Sequence, residues 1–115
     1  MFRITPGNSL VVTTDVQSSR LPVIVTTDKE VLISEALGGE RVHVCIGPDQ
    51  GFFEVSQITI VNTLSSQVKV NILLQIHEVY ETIYSSLLSI GDSLSYTQSG
   101  GWSTNNSSGS AKYSA

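Results

Sequence analysis

Between Val68 and Val79 apolar and polar side chains alternate with a period of two. Val68, Val70, Ile72, Leu74 and Ile76 fall on one face, and Lys69, Asn71, Gln75 and His77 make up most of the other. That is the pattern of a strand buried on one side. Shorter stretches repeat it. "SLVVTT" (9–14) predicts a strand, and "LPVIVTT" (21–27) puts Leu21, Val23 and Val25 on one face. Pro22 lies on the opposite face, and because proline donates nothing to a ladder it predicts an edge position. "EVLIS" (30–34) leads to a break at Gly38–Gly39, and "RVHVCI" (41–46) sets Val42, Val44 and Ile46 against His43 and Cys45. In "FEVSQITIVN" (53–62), Phe53 and Val55 are in one phase and Ile58 and Ile60 in the other. The slip near Ser56–Gln57 predicts a bulge. "ETIYSSLLS" (81–89) fits two periods, since Ile72, Ile76, Val79, Ile83 and Leu87 also fall at helical spacings. The stricter alternation before it and its β-branched residues favour a strand. "SLSYTQ" (93–98) is the last predicted strand.

Turn signals such as "GPDQG" (47–51) separate these runs, giving about eight short strands at roughly regular spacing. The expected fold is all-β, an antiparallel β-sandwich or jelly-roll-like barrel with flexible arms at both ends. Residues 1–8 are expected to form an N-terminal arm anchored by Phe2 and Ile4, and residues 9–102 the sandwich. Residues 103–115, "STNNSSGSAKYSA", form a polar tail with too little apolar surface to offset its own ordering entropy.

At 115 residues the chain fits one domain. Charged residues make up 14%, against roughly 25% in an average soluble domain. Ser, Thr, Asn and Gln fill the gap, as suits a surface packed against other proteins and equally a secreted binding module. The net charge of -4 and six dispersed basic residues leave no stripe for phosphate, so nucleic acid is not an expected partner. One cysteine gives no internal disulfide. No apolar run reaches the ~20 residues of a membrane span. "MFRITPGNSL" lacks the apolar stretch of a signal peptide. A soluble protein made in a reducing cytoplasm is expected, with no membrane partner.

Little in the sequence carries chemistry. His43 and His77 fall on polar strand faces and read as solvated or interface side chains rather than bases. His43 and Cys45 share a predicted face, but a zinc site needs three or four ligands and no other pair is close in sequence. Cys45 reads as a small, partly buried residue. Glu78 and Glu81 beside Tyr80 and Tyr84 in "HEVYETIY" fit glycoside chemistry or a sugar platform, but read more simply as a charged hairpin turn. Gly38, Gly39, Gly91, Gly100 and Gly101 match no phosphate-binding loop and read as turn residues. Trp102 fits either an exposed ligand contact or a cap on one end of the core. No catalytic, cofactor-binding or metal-binding residue is assigned, and an enzyme is not expected.

The second half carries a more distinctive order of elements. "ITIVN" (58–62) ends a strand in Asn, a long alternating strand follows, and "SSLLSIGDSLSYT", "GGW" and "TNNSSG" come in turn. Across about residues 53–110 this resembles a group of small structural proteins of tailed bacteriophages, whose pattern closes with an L-x-L-x-x-G-E-S-L-x-Y hairpin, a G-W and a D-x-x-G turn. Asp92 stands where the group often has Glu, and "STNN" replaces an often apolar strand after Trp102. The resemblance implies a non-enzymatic virion component. It points to a capsid decoration (cement) protein contacting the major capsid protein and forming a homo-oligomer, a trimer in that role, or else to a neck or tail accessory protein. From a different class, a carbohydrate-binding β-sandwich would use Tyr80, Tyr84 and Trp102 as stacking surfaces, and would need them exposed and coplanar.

Overall fold

The computed structural model describes residues 2–105. Its ten strands are β1 (Arg3–Ile4), β2 (Asn8–Thr14), β3 (Arg20–Thr27), β4 (Val31–Leu37), β5 (Val42–Ile46), β6 (Phe53–Val61), β7 (Val68–Ile76), β8 (Val79–Leu88), β9 (Ser93–Thr97) and β10 (Gly101–Asn105). They form two antiparallel sheets packed as a sandwich. One has the order β10-β9-β6-β3-β4, with β1 also on β6, and the other β5-β2-β7-β8. The all-β reading holds, and the segment that fitted two periods, residues 81–89, lies almost wholly in β8.

Alternation places the core. Leu21, Val23 and Val25 of β3 and Ile58 and Ile60 of β6 face Leu10 and Val12 of β2 and Val68, Val70 and Ile72 of β7, all at 0–1% exposure. Each such side chain contributes roughly 1.5–3 kcal/mol when fully buried. The expected bulge is present. Thr26 pairs with Gln57 and Thr27 with Val55, leaving Ser56 as the extra residue. It lets Val55 and Ile58 both point inward despite an odd spacing.

Four expectations change. Pro22 is not on an edge strand, because β3 lies between β6 and β4. It sits one residue outside the β3–β6 ladder, which begins at Val23, so its missing N–H interrupts no pair with β6. Cys45 does not share a face with His43. Leu10 pairs with Cys45 and Val11 with His43, so Val44 is the extra residue of a bulge. Cys45 turns into the core and Ile46 turns out, 65% exposed. The expected N-terminal arm is tied down. Arg3 and Ile4 pair with Glu54 and Phe53, the Val55 amide donates to the Phe2 carbonyl at 2.8 Å, and Ile4 is fully buried. Two large apolar side chains repay the ordering of so short a stretch. Finally, β10 carries the sheet past Trp102 to Asn105. The rest of the expected tail, residues 106–115, lies outside the described residues.

The chain passes between sheets where β4 ends. The Gly38 amide donates to the Ser19 carbonyl at 3.0 Å and that of Gly39 to Thr14 at 2.9 Å. A Cβ at Gly38 would collide with the Val16 carbonyl oxygen, so the close crossing requires glycine there.

Candidate functional site

Three groups of side chains stand out. The first is an aromatic seam along the open side of the sandwich, where β8 of one sheet meets β10 of the other. Tyr84 on β8 and Trp102 on β10 stack with ring centroids 4.7 Å apart and planes 6° from parallel. Trp102 also packs on Tyr96 of β9 at 5.0 Å, and Tyr96 meets Phe2 edge-on at 5.5 Å. All four are partly buried and lie against the core. Ser86 and Thr104 add a hydroxyl–hydroxyl bond of 3.1 Å across the same gap. Apart from Phe2, which the chain's start brings in beside Tyr96, these groups come from the edge strands and from β9. The seam therefore ties two sheets that no backbone ladder joins there.

The second group lies on the outer face of the β5-β2-β7-β8 sheet. The Ser9 hydroxyl donates to Gln75 Oε1 at 2.9 Å and lies 2.8 Å from His43 Nδ1. With its single proton directed at Gln75, Ser9 accepts from His43, so the imidazole faces it as a donor and not as a base. Tyr80 leans toward His43, with centroids 6.4 Å apart, and the Arg41 guanidinium covers the Tyr80 ring at 4.0 Å. Beneath this roof Ser9 is 4% exposed and Val11, on the same outer face, is fully buried. The arrangement ties β5, β2, β7 and β8 together and leaves no open path to the Ser9 hydroxyl.

The third is a hydrogen-bonded hub around Asn62, at the end of β6. Its amide nitrogen donates to the carbonyls of Ser66, Leu88 and Ser89 at 2.9, 3.2 and 3.0 Å. Its Oδ1 accepts from the Leu64 amide at 3.0 Å, and its own backbone N–H donates to the Asp92 carbonyl at 2.8 Å. Asp92 Oδ2 accepts from the Ser89 amide at 3.0 Å. Asn62 is 1% exposed and Asp92 5%. These two residues, prominent in the sequence pattern, join the β6–β7 connection to the β8–β9 turn.

The other sequence candidates are dispersed. His77 occupies the two-residue turn between β7 and β8 with a positive φ of 56°, a conformation that His adopts more readily than most residues. Glu78 and Glu81 are exposed at and beside that turn. Among the described residues no three His, Cys, Asp or Glu side chains gather in a metal-holding group. Burial, with the charge of Glu30 adding to it, pushes the Cys45 thiol up from 9.0 to about 11. An unfolded thiol loses its proton first, so the folded state is expected to lose stability as pH rises from about 9 through about 11. At mildly alkaline pH, iodoacetamide is expected to leave Cys45 unmodified until the protein is unfolded. Rapid labelling of the native protein would contradict this burial.

The aromatic positions bear on sugar binding. Trp102 is packed between Tyr84 and Tyr96, and one face of Tyr80 is covered by Arg41. The rings do not present a common open platform. Compared with known proteins, the chain matches no family model, no curated protein and no solved structure.

Proposed function

We propose that the protein is a structural component of a tailed-bacteriophage particle, a decoration protein that attaches to neighbouring major capsid subunits and holds them together. The observation that carries this reading is an exposed apolar end on a body that keeps its aromatic rings for itself. Ile46 pairs with Ser9, the adjacent Asn8 pairs with Ile76, and Ile76 pairs with Val79. These three apolar residues, exposed by 65, 40 and 65%, therefore lie at one end of one sheet, Ile76 and Val79 side by side on one face and Ile46 on the other. Adjacent exposed apolar side chains such as Ile76 and Val79 mark a protein contact surface. Glu78 and Glu81, exposed at and beside the turn, give this apolar pair a charged rim. The mechanism is mechanical: a body stiffened by its seam and hub bridges shell subunits, and opening the shell then requires breaking additional interface.

Co-sedimentation with empty shells is the test. The full chain is expected to coat them and raise their melting temperature. V79K, which changes a side chain already mostly in water, is expected to keep its own melting temperature and lose at least tenfold in binding. Failure of the wild-type chain to bind shells, with binding to neck or tail assemblies instead, would move the reading to an accessory protein of those parts.

A further inference from the structure

The four outer strands of the two sheets differ in how they are protected. β5 and β8 carry bulges, at Val44 and Ile83. β10 has five residues and is polar beyond Trp102. β4 has none of these features. Its seven residues run in unbroken register with β3, with no proline or lysine, and its Val31 and Ile33 are 57% and 78% exposed. Edge strands are ordinarily blunted by bulges, shortness, lysine or proline because an open edge pairs with any strand that reaches it.

The backbone of β4 is suited to one such strand in particular. The Thr27 amide donates to the Glu30 carbonyl at 2.9 Å. Hydrogen-bonding direction alternates along an antiparallel strand, so Leu32 and Ser34 also face β3, and Val31, Ile33 and Glu35 turn their N–H and C=O groups to the free edge. Among the described residues nothing hydrogen-bonds to those groups. Beyond Leu37 the chain is committed to Ser19 and Thr14, which limits the free edge to the stretch centred on Ile33.

We propose that two copies of the chain pair antiparallel through β4 about a twofold axis at Ile33. Ile33 then faces its own copy, and Val31 faces Glu35 of the second chain, each exchanging both backbone bonds. Ile24, 40% exposed and paired with Ile33 inside each chain, extends an apolar row across the joined sheets. No like charges meet, because the facing pairs are Ile–Ile and Val–Glu and Glu35 is held 3.3 Å from Arg20 of its own chain. Such a contact is isologous and closes at two copies. It is thus a different association from the trimer that the decoration role implies, and it requires no shell.

Light scattering coupled to size exclusion, on the full chain over a range of concentrations, tests it. The wild type is expected to run as a dimer. I33K and I33E are each expected to run as monomers with unchanged circular dichroism, their melting temperatures matching that of the wild type diluted until it dissociates. An equimolar mixture of I33K with I33E is expected to recover a dimer, because residue 33 meets its own counterpart only on this axis. A wild type that stays monomeric or forms a trimer, an I33K variant that remains dimeric, or a mixture that fails to associate would each overturn the proposal.

Discussion

Replacing Trp102 with alanine is expected to lower folding stability by about 3 kcal/mol, toward the lower end of the range for large aromatic truncations. The indole is only partly buried, which holds the loss down. It is also packed between Tyr84 and Tyr96 and is the main side-chain bridge between β10 and the opposite sheet. Its loss removes the stacking contribution of about 0.5–1.5 kcal/mol per aromatic pair as well as the buried area. Trp102→Phe retains a ring against Tyr84 and is expected to lose about half as much. Urea unfolding followed by far-ultraviolet circular dichroism gives both values. In a cycle with Tyr84→Ala, a coupling near 1 kcal/mol is expected. A Trp102→Ala variant as stable as the wild type would mean that the seam does not hold the sheets together.

Asn62→Ala is expected to cost a similar amount, about 3–4 kcal/mol, for a different reason. The two N–H protons of one amide are shared among three carbonyls, and its oxygen accepts one N–H. Each bond contributes about 1 kcal/mol net, and buried groups left without partners cost more than the average. Asn62→Asp keeps the volume but turns a carboxylate toward the carbonyls of Ser66, Leu88 and Ser89, so it is expected to be at least as damaging. The amide of Leu64 reports the acceptor side of the site directly, and its hydrogen exchange should accelerate in Asn62→Ala, which removes its acceptor, more than in Asn62→Asp, which keeps an oxygen there. If Asn62→Ala unfolds within about 0.5 kcal/mol of the wild type, the hub is not a structural weld.

The body of the fold was legible wherever polarity and pairing direction told the same story. Val68 to Ile72 and Leu21 to Val25 alternate cleanly, and both segments are strands with those residues inside. The bulge at Ser56 was legible because it shifts the phase of the apolar positions around it. The bulge at Val44 was not. Val44, Cys45 and Ile46 are all apolar, so hydrophobicity cannot show which of them turns outward. β10 was missed because its sequence is polar, and it is held by backbone pairing to β9 and by a single large side chain. Of the candidate sites, Asn62 and Asp92 could be singled out as positions, but their partners lie across a loop and a turn whose geometry the sequence does not specify. The Tyr84–Trp102 stack joins two sheets, and no local pattern encodes such a contact.

The order in which the seam's parts are synthesised has a consequence for the growing chain. Tyr84 leaves the ribosome ahead of Trp102, and the strand carrying Trp102 is the last of those described. Until it emerges, β9 has an unpaired edge, Tyr84 and Tyr96 lack the ring that lies between them, and one side of the sandwich stands open to water. Seven of the ten described strands also pair with partners far along the chain, a topology that folds slowly. The nascent protein therefore carries an open sheet edge beside uncovered aromatic rings during the last stage of its synthesis, from the emergence of these rings to that of Trp102. That is the stage at which it is most exposed to aggregation and to capture by chaperones.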